Sequence, residues 1–171
     1  MSLLLVDGYN VIAAAEPYRS LASDDLDAAR AALVNDVAGV CVDSCEAYVV
    51  FDGAANENSD GTPHVVAGVT VVFSAFGHDA DETIERIVMS RRVVGDEIVL
   101  VTSDAQTQWV GLGPAVRRMS AREFIDEINA SRAHTQEHSS AGSSQATLAD
   151  RVDVATRQTL AAWARGRGND S

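Results

Sequence analysis

The sequence predicts a three-layer α/β sandwich with a central, mainly parallel sheet. Two patterns lead to this class. Continuous apolar runs of strand length recur along the first 120 residues, and stretches of helical period separate them. Strands alternating with helices imply parallel pairing through crossovers, with helices on both faces of the sheet. A length of 171 residues suits one domain, and 46% hydrophobic with 22% charged content suits a chain that folds around a core.

The elements follow in order. Leu3 to Val6 is a buried-strand run that ends at Asp7-Gly8. Leu26, Ala29, Leu33 and Val37 then form a helical stripe. Ala47 to Phe51 runs into Asp52-Gly53, and Val69 to Phe73 runs into Ser74. Ile84, Ile87 and Val88 mark the next helix, and Ile98 to Val101 ends at Thr102-Ser103-Asp104. A weaker strand is predicted over Ala115 to Met119. After it, Ser120-Ala121-Arg122-Glu123 has the form of a capping box in front of Phe124, Ile125 and Ile128.

The main domain is expected over residues 1–132. Residues 133–147, rich in Ser, Gln, His and Ala, read as a flexible linker. Residues 148–171 would then hold a C-terminal helix, docked or detachable, with Leu148, Val152, Ala155, Leu160 and Trp163 as a partial stripe.

Composition excludes several chemistries. All 13 positions counted as Lys or Arg are arginine, so a Walker A loop or a Schiff-base lysine is impossible, and no nucleotide cofactor is expected. The net charge of −12 argues against broad affinity for duplex DNA. The acidity is uneven. Residues 1–129 carry 21 acidic side chains against 8 arginines, and residues 130–171 carry 4 against 5. No apolar run is long enough to span a bilayer and the start lacks a basic signal, so a cytoplasmic location is expected. Cys41 and Cys45 have no second pair with which to complete a zinc site, and are expected as free, mostly buried thiols.

The chemistry lies in the aspartates. In open parallel sheets, ligands bind beyond the carboxyl ends of the strands. Asp7, Asp52 and Asp104 each follow a strand, and Asp81 opens the helix after the third. Each alone reads as an N-cap or a turn residue. Together they form an acidic cluster, and like charges about 4 Å apart repel by roughly 4 kcal/mol at an effective dielectric of 20. Such a cluster calls for a hard divalent cation, Mg2+ or Mn2+, and suits phosphodiester hydrolysis.

The motifs resemble a known family. Asp7-Gly8-Tyr9-Asn10-Val11-Ile12, Val50-Phe51-Asp52-Gly53, Asp79-Ala80-Asp81-Glu82, Thr102-Ser103-Asp104 and Met119-Ser120-Ala121-Arg122-Glu123-Phe124 occur in the order found in the NYN-domain ribonucleases, specifically the bacterial YacP-like branch with its PIN-like fold. Leu160 through Trp163 to Arg165-Gly166 is similar to the ending of that branch. The resemblance covers almost the whole chain. It implies a metal-dependent endoribonuclease with an active site of Asp7, Asn10, Asp52, Asp81 and Asp104, of which Asp7, Asp81 and Asp104 would hold metal. It also suggests messenger RNA at the ribosome as a target.

RNA would need local cations, and Arg86, Arg91 and Arg92 are the expected substrate contacts, with Arg117, Arg118 and Arg122 also available. Asp79 and Glu82 are expected as caps. The competing function is a non-catalytic RNA- or ribosome-binding module on the same fold. A phosphatase of the haloacid-dehalogenase type is disfavoured, because that mechanism needs a second aspartate where Tyr9 stands.

Overall fold

A computed structural model describes residues 2–41, 45–103, 115–138 and 153–166, with the side chains of 134–138 excepted. The first apolar run forms strand β1 (Ser2–Asp7), and three helices follow it: α1 (Gly8–Ala14), α2 (Glu16–Asp24) and α3 (Leu26–Val40). The chain returns through β2 (Glu46–Phe51), a hairpin of β3 (Pro63–Val66) and β4 (Val69–Phe73), helix α4 (Ala80–Val93), and β5 (Glu97–Val101). β6 (Val116–Met119), α5 (Ala121–His138) and α6 (Val154–Ala164) complete it.

The six strands lie in the order β3-β4-β2-β1-β5-β6. All neighbours are parallel except β3 and β4. The mainly parallel three-layer sandwich is therefore the observed fold. β3 was not expected. Its turn to β4 places Ala67 at φ 53° and Gly68 at φ 79°, the left-handed pair of a two-residue hairpin. Asn-Gly normally announces that geometry, and Ala-Gly does not.

Strand alternation divides the core in two. Leu4, Val6, Val49, Phe51, Val71, Phe73 and Val101 point to one face, beneath α1, α2, α3, α5 and α6. Leu3, Leu5, Val50, Val72, Ile98 and Leu100 point to the other, where α4 covers them with Ala80, Ile84 and Val88. α3 is enclosed by α2, α5 and α6 as well as the sheet, so it buries residues from Ala28 through Val34 on several sides. Its expected stripe holds at Ala29, Leu33 and Val37, but Leu26 is 40% exposed.

The helix starts follow local chemistry. Ser120 Oγ accepts from the Glu123 amide at 3.2 Å, and Glu123 Oε2 accepts from the Ser120 amide at 2.7 Å, which is the expected capping box. Asp25 caps α3 by accepting from the Ala28 amide at 3.0 Å, and it also pairs with Arg157 of α6. The Ala28 amide chiefly, with Arg157 adding to it, holds the Asp25 carboxyl below the usual carboxylate range. A depressed folded value gives stability that is present above the unfolded pKa, about 3.9, and lost as pH falls through the folded one. Asp25→Asn keeps a capping oxygen but loses the charge. Its thermal midpoint should lie below wild type at neutral pH and converge with it in acid. A gap that does not change with pH would show that the charge contributes nothing.

Three expectations are corrected here. Cys41 and Cys45 form a disulfide rather than free thiols. Cys41 ends α3 and Cys45 lies just before β2, and their Cα atoms stand 5.0 Å apart, within the span a disulfide bridges. The domain end expected at residue 132 falls inside a helix, because α5 continues to His138 and takes in the first part of the expected linker. The rest of that linker, with Leu148 and Val152, lies outside the described residues. On α6, Ala155 is exposed, and the buried positions are Thr156, Leu160 and Ala161.

Candidate functional site

Because β4, β2, β1, β5 and β6 run parallel, their carboxyl ends share one edge of the sheet. Register fixes the order along it. Asp7 is level with Val50, and Asp52 emerges two residues further along that neighbouring strand. Val6 is level with Val101, so Thr102 and Ser103 flank Asp7 on its other side. Adjacent strands are about 4.8 Å apart, which makes these residues lateral neighbours.

The face is fixed as well. Asp7 has the parity of Leu3 and Leu5, and Asp52 that of Val50, which all belong to the face under α4. Ala80 and Ile84 anchor the start of α4 in that same core beside Val50 and Val72. Asp81, half-buried in the first turn, flanks this buried stripe. Asp7 and Asp52 thus leave adjacent strands at one edge, and the start of α4, which carries Asp81, packs on the face of Leu5 and Val50. Asp104 lies outside the described residues, three positions after Val101.

Local bonding gives two acidic residues a structural role at the start of α4. Asp79 is the N-cap of α4, accepting from the Glu82 amide at 2.8 Å, and Glu82 pairs with His78 at 2.7 Å. Both act as local helix-start residues, as expected, and Asp81 is not the cap. Asp7 precedes α1, but its side chain makes no capping bond, and it is only 8% exposed. Asp52 is exposed and accepts from the Ala54 amide at 2.8 Å, so it serves its own turn as well as standing at the rim.

Asn10 has a specific partner. Its Oδ1 accepts from the Ser103 amide at 2.6 Å and ties α1 to the segment leaving β5. The bond closes over the point where connections diverge, since β1 leads toward β2 and β5 toward β6 on the opposite side. The glycines beside the aspartates are required by close approach. A Cβ on Gly8 would lie 2.4 Å from the Phe51 ring, and one on Gly53 would lie 2.3 Å from the Ser74 carbonyl oxygen. Gly53 also donates its amide to Ser74 Oγ at 2.7 Å.

The expected arginines divide. Arg91 pairs with Glu46 and, at 3.3 Å, with Asp96, and its guanidinium lies 5.5 Å over the Tyr48 ring. Glu46 begins β2 and Asp96 precedes β5, so Arg91 clamps the amino-terminal edge of the sheet. Ten residues of helix, about 15 Å, separate it from Asp81. Arg92 lines a recess with Gly95, Asp96 and Arg117 at that far edge. Arg91 and Arg92, expected as substrate contacts, therefore lie at the far end of α4 from Asp81. Arg86, exposed and about 7.5 Å along α4 from Asp81, remains within reach of the carboxylate edge.

Sequence reasoning passed over one residue near this edge. Arg30 is 8% exposed within α3 and donates from Nε to the Tyr9 hydroxyl at 3.0 Å. The signal was present, since one arginine interrupts the apolar run Ala28 to Val34.

Among the described residues, no three carboxylate, histidine or thiol side chains are gathered closely enough to enclose a metal ion by themselves. The available donors are nevertheless carboxylate and amide oxygens, the set that hard divalent cations prefer.

An oxygen-donor edge on a PIN-like sheet defines the class, and comparison of the chain with known families agrees: residues 4–165 match the YacP-like NYN domain, and the chain belongs to that family, which is of the PIN-like nuclease type. Among relatives, it is 31% identical over 138 residues to the uncharacterized protein YacP of Bacillus subtilis (strain 168), covering 75% of each chain. Among solved structures, it resembles Rae1 (YacP) from Bacillus subtilis with a TM-score of 0.67 at 30% identity, over 81% of this chain and 79% of that one. A tryptophan-to-leucine mutant of Rae1 matches over 95% of this chain and 99% of that one, with a TM-score of 0.66 at 27% identity. Among the described residues, no helix is long and apolar enough to cross a membrane.

Proposed function

We propose that this protein is a divalent-metal-dependent endoribonuclease that cuts single-stranded RNA at the carboxylate edge of its sheet. One observation carries the reading. Asp7, a nearly buried carboxylate, ends a central strand beside the strand that delivers Asp52, at the carboxyl edge where ligands bind in open parallel sheets. Family membership adds the nuclease class.

Asp7 and Asp81, with Asp104, would hold Mg2+ or Mn2+, which when bound supplies an activated water and stabilises the charge building on the phosphate. Asp52 completes the acidic rim. Asn10 fixes the spacing between the β1 and β5 ends, and its amide adds hydrogen bonding without further negative charge. Arg86 offers a fork to a backbone phosphate. Phe76, 52% exposed in the loop before Asp79, offers a stacking face to an unpaired base. An acidic body with few free cations disfavours duplexes, whose binding depends on neutralising many phosphates. Messenger RNA at the ribosome is the narrower form of this reading, with action in the cytoplasm.

The test is direct. Purified protein is incubated with end-labelled single-stranded RNA and Mn2+ or Mg2+. Internal cuts that EDTA stops and excess Mn2+ restores are expected. No internal cleavage of any RNA, together with co-sedimentation with ribosomes, would replace the enzyme by a binding module.

A further inference from the structure

Arg30 is a buried cation on α3, and it and the aromatic rings around it bring together α1, β2 and β4. Its Nε and Nη2 both donate to the Tyr9 hydroxyl, and Nη1 pairs with Asp27. The guanidinium carbon lies 5.3 Å from the Tyr9 ring centre and 5.8 Å from that of Phe73. Phe51 packs 5.1 Å from both Tyr9 and Phe73. Tyr9 is two residues after Asp7, Phe51 directly precedes Asp52, and Phe73 ends the strand that leads to Asp81. The cluster therefore touches the chain beside Asp7 and Asp52 and the strand end that leads, eight residues on, to Asp81.

A further link reaches the C-terminal helix. Asp27, which orients the Arg30 fork, also accepts from Arg165 at 3.2 Å, and Arg165 directly follows α6. A buried charge is costly unless fully paired, and well-packed apolar residues often replace a buried ion pair without loss of stability. Stability alone therefore does not require Arg30 here.

We infer that Arg30 is a positioning residue: its fork fixes Tyr9 and with it the Asp7–Asn10 turn, while α6 steadies the fork through Arg165 and Asp27. This rests on the endoribonuclease reading for its catalytic consequence, though not for its structural one.

Tyr9→Phe tests it most cleanly, because the ring stays packed while the acceptor of both Arg30 bonds is lost. Residues that orient metal ligands from behind typically change metal affinity or activity by about 10–100-fold. A loss of that size is expected in kcat or in Mn2+ affinity, with KM for RNA and the thermal midpoint close to wild type. Arg30→Lys keeps the charge but not the fork, and should fail to restore the activity that Arg30→Met loses. Backbone amide exchange gives a readout independent of cleavage. It should quicken at residues 9–12 and at Ser103 while the rest of the sheet keeps its protection.

Tyr9→Phe with unchanged kcat, Mn2+ affinity and exchange would overturn the inference. So would a loss matched by a fall in thermal midpoint and uniform exchange, which marks a general packing role. If the wild-type protein neither binds Mn2+ nor cuts RNA, the functional reading fails, and the exchange pattern alone decides the role of Arg30.

Discussion

Asp81→Asn is expected to abolish RNA cleavage while leaving the fold intact. The substitution preserves size and hydrogen-bonding capacity but removes the charge that would hold a cation. Loss of a direct ligand should exceed the about 10–100-fold typical of groups that only orient ligands. The fold should survive because Asp79, not Asp81, caps α4. Removing one acidic residue from the first turn costs about 0.3–1 kcal/mol through the helix dipole. Asp79→Asn is the useful contrast, since its amide oxygen can still cap the helix. It should lose far less activity. The measurement is the single-turnover rate in saturating Mn2+, paired with thermal unfolding. An Asp81→Asn preparation, free of contaminating nuclease, that cuts at the wild-type rate would remove Asp81 from the site.

Leu160→Ala should be the most destabilising single change on the C-terminal helix, by about 2–5 kcal/mol for a buried leucine. Leu160 is fully buried in the larger core, which is the docked one of the two arrangements the sequence left open for the terminal helix. α6 is fastened at several other points. Asn56 donates to the Ala164 carbonyl at 2.8 Å, Trp163 stacks 4.4 Å from His64, and Arg157 pairs with Asp25. A Cβ on Gly166 would lie 2.1 Å from Asn58, so the chain closes tightly on the loop after β2. Denaturant unfolding gives the change directly. A loss below about 1 kcal/mol, the scale of surface substitutions, would mean that α6 undocks readily.

Much of the fold was legible because buried parallel strands leave a plain trace. The runs at Leu3, Ala47, Val69 and Ile98 each became a strand, and the weak run at Ala115 became β6. β3 escaped because Pro63 to Val66 is an edge segment whose burial alternates only weakly. α3 was found, but only one of its buried sides was recognised, because a helix enclosed by other helices has no single stripe. For the proposed site, strand-end position pointed to Asp7 and Asp52 and to the helix start at Asp81, while Arg91 and Arg92 were drawn to that edge only because they share a helix with Asp81.

By itself, the sequence determined what local chemistry controls: the strands and their aspartate endings, the caps at Asp79 and Ser120, the absence of lysine and the family motif. Tertiary structure decided which of those features meet. Register set the ends of β1 and β2, with Asp7 and Asp52, side by side, while packing sent Arg91 to the other edge, joined Cys41 to Cys45 and placed Arg30 against Tyr9. The physical reason is that burial and pairing depend on distances across the sheet, and chain separation does not report them.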